Sequence, residues 1–363
     1  MPDPVTVLGT RVAYAARQLP RLAWFAGHGV VMRRLQAQVR RRAPPRDRGG
    51  APPVAGPSPG PASLPGSRRL YADLARLLRQ DLANVEAGIY PVPDDHDGSL
   101  PTLLERSRLF FADLPEIHAR RERNGVRDVL AEAPRRGRPA YYLQNFHFQS
   151  GGWMTEESAE RYDTQVEVLF NGTANAMRRQ ALPPLHEVFA GRDQRRLRLI
   201  DIGCGTGRFL DCLKQAWPRL PALGLDLSEA YVRHAQRHLR RWRKVAVAVG
   251  NAEAIPAADA SVDAVTSVFM MHELPAKVRR VVMAECARVL RPGGRLVLVD
   301  SLQRGDDPAY DGLLERFPQN YHEPYYRGYL DEDFSAMAAG CGLVPVRDVN
   351  AFVSKVMVFD KAG

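Results

Sequence analysis

Residues 197–210 read LRLIDIGCGTGRFL, and the reading of this stretch decides the fold. Leu197, Leu199, Ile200 and Ile202 make an apolar run around Asp201 with the character of a buried parallel strand. Three glycines follow, Gly203, Gly205 and Gly207, and a helical stretch opens at Arg208. Glycine at a strand-to-helix turn reaches backbone angles that other residues resist and lets the chain approach a ligand closely. The arrangement predicts a nucleotide-type site at the carboxyl end of a strand.

Spacing decides the ligand class. A dinucleotide fingerprint, G-x-G-x-x-G, needs glycine at position 208, and that residue is Arg208. The third glycine arrives one residue early, and Asp201 sits two residues before the first. The stretch resembles the first motif of the class I S-adenosylmethionine (SAM)-dependent methyltransferases, an acid followed by G-x-G-x-G. Four further stretches in matching order extend the resemblance over about Leu197 to Asp300.

The first of these is ALGLDLS, where Asp226 stands nineteen residues after Gly207. A carboxylate at the end of a second strand suits the two hydroxyls of a ribose. The resemblance gives Asp226 that role and packs Leu227 on the adenine. Residues 250–256, GNAEAIP, stand where the family shows G-D-A-E-x-L-P. Asn251 replaces the aspartate, and its carbonyl oxygen can still accept from the adenine amino group, while the Ala252 amide donates to the ring. SVFMMHELP matches the end of the fourth strand and adds Phe269. ARVLRPGGRLVLVD matches R-V-L-x-P-G-G-x-L, a helix end, a turn on Pro292–Gly293–Gly294 and a last parallel strand. The pattern is similar to the broad subgroup that includes the ubiquinone and menaquinone biosynthesis methyltransferases. It implies SAM as cofactor, held by Asp201, Gly203, Gly205, Gly207, Asp226, Leu227, Asn251, Ala252 and Phe269, with no metal.

Outward from this core, strand patterns near 197–202, 221–226, 245–250, 262–269 and 294–300 alternate with helical ones near 208–216, 228–242 and 276–290. Repeated strand–helix–strand units predict a parallel sheet covered on both faces. LVPVRDV and AFVSKVMVFD, close together around Asn350, predict an antiparallel hairpin at the sheet edge. The expected fold is α/β, a Rossmann-like class I methyltransferase sheet over 191–363 preceded by a helical N-terminal region.

At 363 residues, 45% hydrophobic and 25% charged, the chain has the composition of a globular enzyme. Its four cysteines form no C-x-x-C pair, which points to a reducing cytoplasm without disulfides or zinc. Ten arginines precede position 49 against Asp3 and Asp47, so most of the net charge of +10 sits in this arm. Apolar residues at helical spacing over 6–42 predict a basic amphipathic helix within an arm at 1–42. It either packs on the protein's own body or lies on an anionic membrane surface, which would place the protein at the inner face of the membrane. Its most apolar run, Leu22 to Met32, is too short to span a bilayer. Residues 43–67, rich in proline and glycine, predict a flexible linker that leaves the arm loosely attached.

Over 68–190 the sequence predicts a helical cap or substrate region. Leu70, Leu74, Leu77, Leu78, Leu82 and Val85 mark one helix face. Asp94, Asp95, His96 and Asp97, beside prolines and Gly98, read as a solvated acidic turn. Residues 141–163, YYLQNFHFQSGGWMTEESAERYD, crowd aromatics with His147 and polar side chains. They form either a lid over the cofactor or a packed segment between domains.

Methyl transfer from a sulfonium is an in-line displacement, so alignment and exclusion of water supply most of the catalysis. Aromatic faces can stabilise the cationic donor. The stretches Tyr141–Trp153 and Gln319–Tyr329 supply the candidate acceptor contacts Tyr141, Trp153 and Tyr325. His147 or His322 would serve as base where the acceptor holds a proton at neutral pH, while His272 reads as structural. The expected acceptor is a small, partly apolar molecule. The alternatives are an RNA or protein methyltransferase docking through the basic arm, or a SAM-binding regulator without turnover. A near-neutral core without a nucleic-acid module argues against nucleic acid.

Overall fold

The computed structural model describes residues 4–42, 64–132 and 137–363; most of the expected linker lies outside these residues. Strands β1 (Leu199–Ile202), β2 (Ala222–Asp226), β3 (Val245–Val249), β4 (Val262–Val268), β5 (Leu290–Ser301), β6 (Leu343–Ala351) and β7 (Ser354–Lys361) form one sheet. Their order is β3-β2-β1-β4-β5-β7-β6. The first five pair in parallel, and β7 runs antiparallel to both β5 and β6. The C-terminal hairpin is therefore present, with β7 inserted and β6 left at the edge. The expected turn on Pro292–Gly293–Gly294 falls inside β5. Leu290 pairs with Val262 and Arg295 with Ala264, so residues 291–294 bulge out of the ladder.

Alternation along the strands builds two apolar layers. Leu199, Ala264, Val297, Val299 and Val356 share one core with Met177, Leu182, Leu185, Leu210 and Leu213. Ile200, Ile202, Val265, Leu296, Leu298 and Met357 share the other with Val282, Met283 and Cys286. With helices on both faces the central strands read as nearly continuous apolar runs, which is why β1 was visible in the sequence.

The N-terminal half is helical: α1 (Pro4–Arg42), α2 (Ser67–Glu86), α3 (Leu100–Glu122) and a helix over Glu156–Leu169. α1 packs on the body through Tyr14, Gln18, Arg21, Phe25 and His28, all buried. Val5, Leu8, Val12, Leu19 and Val30 are exposed on its opposite side. Among the described residues no helix is long and apolar enough to cross a membrane.

Of residues 94–97, expected as a solvated turn, Asp94 and His96 are exposed and Asp95 and Asp97 are not. Asp95 and Asp97 are built into a buried ion-pair network that draws on four helical segments. Arg179, 2% exposed, donates from two nitrogens to Asp81 (2.7 and 2.9 Å) and from the third to Asp95 (2.6 Å). Arg21 on α1 pairs with Asp97 and Glu167, each at 2.6 Å. Tyr14 and Tyr90 hydroxyls also donate to Asp81. Burial alone would raise the pKa of Asp95, but the charges of Arg179 and Arg21 outweigh it and hold the carboxyl below its usual range. The sequence reading missed this because the countercharges come from positions 21 and 179, far away in the chain. The same contacts anchor α1, which is thus not loosely attached.

Removing one member of a buried network strands its partners' charges, a loss of about 3–5 kcal/mol. Arg179→Met is therefore expected to lower unfolding stability by that amount in urea titrations at neutral pH; a loss below about 1 kcal/mol would contradict the network's role. Because the folded Asp95 titrates below the unfolded value of about 3.9, its contribution is present above that pH and is lost as pH falls through the folded value.

Candidate active site

The order β2-β1-β4 makes the sheet reverse direction of growth between β1 and β4, and crevices at such points open at the carboxyl ends of the strands. A cleft lies there. Its floor is the glycine loop, with Gly203, Gly205 and Gly207 at φ of +65°, +54° and +83°. The three glycines serve different purposes. A Cβ on Gly207 would lie 2.9 Å from Leu239 Cδ1, and one on Gly203 would lie 2.6 Å from Met270 Sδ, so both permit close packing. A Cβ on Gly205 would meet nothing within 4 Å, so its bare Cα faces space left for a ligand.

Asp226, at the end of β2, lines the cleft beside Leu227. Its two oxygens accept from the Gly205 and Ser228 amides, at 2.9 and 2.8 Å. Burial raises its pKa although these two donors oppose the shift. Each carboxylate oxygen keeps a lone pair, which matches two ribose hydroxyls. Asn251 and Ala252 line the next wall. The Asn251 side chain turns back on its own segment, its Oδ1 accepting from the Glu253 amide at 2.9 Å, which leaves one lone pair for an adenine amino group. Phe269 lines the cleft from a strained backbone at φ +57°. The expected cofactor fits this set: an unfilled cradle at Gly205, a carboxylate at ribose position and an amide beyond it.

Two residues assigned to the cofactor lie elsewhere. Gly207 packs beneath the loop. Asp201 is 1% exposed and accepts from Thr266 Oγ1 at 2.7 Å, and it does not line the cleft. Burial and the charge of Asp226 raise its pKa to about 7 against the opposing Thr266 bond. Its Oδ2 meets no partner among the described residues.

Aromatic side chains form the facing wall. Residues 140–148 fold as two short 3-10 turns, Ala140–Tyr142 and Phe146–Phe148, which project Tyr141, Tyr142 and Phe146 into the cleft. Trp153 stacks on Phe146 with ring centres 4.1 Å apart and interplanar angle 2°. Tyr141 donates to Glu253 at 2.7 Å, linking this wall to the Asn251 segment. Tyr162 and Tyr231 complete it. The sequence reading named Tyr141 and Trp153. Phe146, Tyr142 and Tyr162 lay within the quoted aromatic stretch, whose lack of periodicity hid which side chains face inward.

The expected bases do not hold that position. His147 lies behind the wall, its Nε2 2.5 Å from Glu323 and 3.6 Å from Glu273. Burial would lower its pKa, but the two carboxylates outweigh this and raise it to about 10, so its imidazole is protonated at neutral pH and cannot accept a proton. His322 is hydrogen-bonded through Nε2 to Gln144 Oε1 (2.9 Å), and Tyr325 accepts from Gln144 Nε2 (2.9 Å); neither lines the cleft. His272 is buried against Asp300 at 2.5 Å. Glu273, unnoticed beside His272 in the sequence, does line the cleft. Burial and then the charge of Glu323 raise its pKa, while His147 holds Glu323 below its usual range against burial.

Gly205→Ala and Gly207→Ala should separate ligand space from packing. The left-handed backbone costs each about 1–2 kcal/mol. In calorimetric titrations Gly205→Ala is expected to weaken SAM binding at least tenfold, and Gly207→Ala to lose more thermal stability through its clash with Leu239. Unchanged SAM affinity in Gly205→Ala would contradict the assignment of that space.

Residues 199–294 match a family described as a methyltransferase domain. A malonyl-acyl-carrier-protein O-methyltransferase of Methylococcus capsulatus is 41% identical over 99 residues, 27% of this chain and 35% of the relative. The chain thus spans about a third of that relative's length. A demethylmenaquinone methyltransferase of Thermotoga maritima is 30% identical over 178 residues, 49% of this chain and 72% of the relative. A solved SAM-dependent methyltransferase from Aquifex aeolicus aligns with 58% of this chain and 100% of its own at 18% identity and a TM-score of 0.42. The chain belongs to the class I SAM-dependent methyltransferases, enzymes whose cofactor is SAM.

Proposed function

We propose that this protein transfers the methyl group of SAM to a small, partly apolar molecule. The observation that carries the reading is the continuity of one cleft, which Gly205, Asp226 and Asn251 line together with Tyr141, Phe146 and Trp153. A donor seated on the glycine side would present its sulfonium toward the aromatic rings, whose faces favour a cation. Displacement needs the acceptor atom in line with the methyl–sulfur bond, and a wall of stacked rings restricts both orientation and water. As the acceptor atom forms its bond to the methyl carbon, the carbon–sulfur bond breaks and its electron pair stays on sulfur.

The acceptors in the relatives' names, a malonyl-acyl-carrier protein and a demethylmenaquinone, differ from each other, so the acceptor class is read from the cleft itself. Apolar lining from Val268, Met270, Leu274 and Val282 favours a partly apolar body. Trp153 Nε1 is buried and meets no hydrogen-bond partner among the described residues, a donor left for an oxygen of the acceptor.

Incubation with methyl-labelled SAM and a cell extract, separated into lipid, aqueous small-molecule, RNA and protein fractions, tests the reading. Label is expected in the lipid or small-molecule fraction, absent with Asp226→Ala, and reduced at least tenfold with Trp153→Ala. Label in RNA or protein alone would overturn the acceptor class.

A further inference from the structure

His147, Glu273 and Glu323 come from three separate segments: the aromatic stretch, the turn after β4 and the region between β5 and β6. One donor atom from each lies within 4.8 Å of the others. The Glu323 side chain is fully buried and that of Glu273 is 8% exposed. Among the described residues no arginine or lysine pairs with either carboxylate, although arginine pairs abound elsewhere in the fold. His147 Nε2 lies 2.5 Å from Glu323 and 3.6 Å from Glu273, and neither Glu323 oxygen nor Glu273 Oε2 makes a well-directed hydrogen bond. Buried carboxylate oxygens and an imidazole nitrogen that lack well-directed hydrogen bonds are groups that folded chains ordinarily satisfy with a partner or a metal.

The surroundings are arranged as for a ligand set. His147 sits at φ +57°, a left-handed conformation that side chains seldom adopt, and its amide donates to the His322 carbonyl at 3.3 Å. Beside Glu273, His272 presents Nε2 at 3.6 Å while Asp300 holds its Nδ1. Imidazoles that ligate a metal commonly have their other nitrogen held by a carboxylate in this way.

We propose that His147, Glu273 and Glu323 form a binding site for a divalent transition-metal ion at the acceptor end of the cleft. One imidazole nitrogen and two carboxylates suit Mn²⁺, Fe²⁺ or Zn²⁺. Bonds of about 2.1 Å place ligand atoms roughly 3–4 Å apart, so the His147–Glu323 ion pair parts slightly as the ion displaces the imidazole proton. Because Glu273 lines the cleft, the ion's remaining positions face the space assigned to the acceptor. They would take an oxygen of that molecule, which is the acceptor chemistry this site selects. The role in acceptor binding rests on the methyl-transfer reading; the metal site itself does not. The sequence reading expected no metal, and the three ligands, 126 and 50 residues apart, form no spaced motif.

Titration of chelator-treated full-length protein with Mn²⁺, followed by the electron paramagnetic resonance signal of free Mn²⁺, tests the site. One ion per chain is expected, with affinity at least tenfold weaker in Glu323→Gln and in His147→Gln while S-adenosylhomocysteine binding is retained. Absence of binding in the wild type, or wild-type affinity in both variants, overturns the proposal. Should the variants fail to fold, manganese anomalous diffraction from the wild type decides: a peak among the three side chains supports the site, and a peak elsewhere or none overturns it. A protein that binds Mn²⁺ there and labels no acceptor would defeat the methyl-transfer reading alone. One that labels an acceptor without binding Mn²⁺ would defeat the metal site alone.

Discussion

The ion pair between Arg208 and Asp163 joins the two halves of the molecule. Arg208 is the first residue of the helix after the glycine loop, and its Nε donates to Asp163 at 2.6 Å. The other Asp163 oxygen accepts from Thr206 Oγ1, also at 2.6 Å, inside the loop itself. Arg208 Nη1 donates to the Asp95 carbonyl at 2.8 Å, so the same side chain reaches the buried acidic segment. Burial would raise the Asp163 pKa, but Arg208 outweighs it and holds the carboxyl ionised far below its usual range. Through one guanidinium the cofactor loop, the helix that follows the aromatic wall and the anchor of α1 become a single unit. Position 208 is also where a dinucleotide fingerprint would carry its third glycine. The residue that excludes that reading is the one that fastens the N-terminal half to the sheet.

This fastening accounts for the shape of the cleft. The glycine loop and Asp226 are fixed by the sheet, whereas Tyr141, Phe146 and Trp153 belong to a segment with almost no regular structure. That segment is held by side-chain contacts: Trp153 to Ser228 through its carbonyl, Tyr141 to Glu253, and His147 to the acids. Strained backbone gathers at the same place, at His147, Phe148 and Phe269. Such strain persists where surrounding contacts over-determine the conformation, and it commonly marks sites where geometry matters more than stability.

The fold was legible because its signals are local. A glycine turn after an apolar strand and an acid closing the next strand each sit within a few residues, and near-continuous apolar runs mark the strands buried on both faces. Of the residues assigned to the cofactor, Gly203, Gly205, Asp226, Leu227, Asn251, Ala252 and Phe269 line the cleft, whereas Asp201 and Gly207 do not. The acceptor side was not legible. His147 was recognisable as a chemically capable residue, but whether it accepts a proton depends on Glu273 and Glu323, which only the folded chain brings to it. His322 and Tyr325 were chosen from an aromatic stretch, and both turned out to meet Gln144 instead. Asp95 and Asp97 were misread for the same physical cause: a charge run is solvated unless distant arginines reach it, and here they come from positions 21, 179 and 208.

The central claim is that one cleft seats the donor on the glycine side and turns its sulfur toward the aromatic wall. A crystal structure with S-adenosylhomocysteine tests it most directly. The account predicts ribose hydroxyls on the Asp226 carboxylate, the adenine between Leu227 and the Asn251 segment, and the sulfur facing Phe146 and Trp153 across the acceptor space. A ligand bound with its ribose away from Asp226, or with its sulfur turned from those rings, would contradict it.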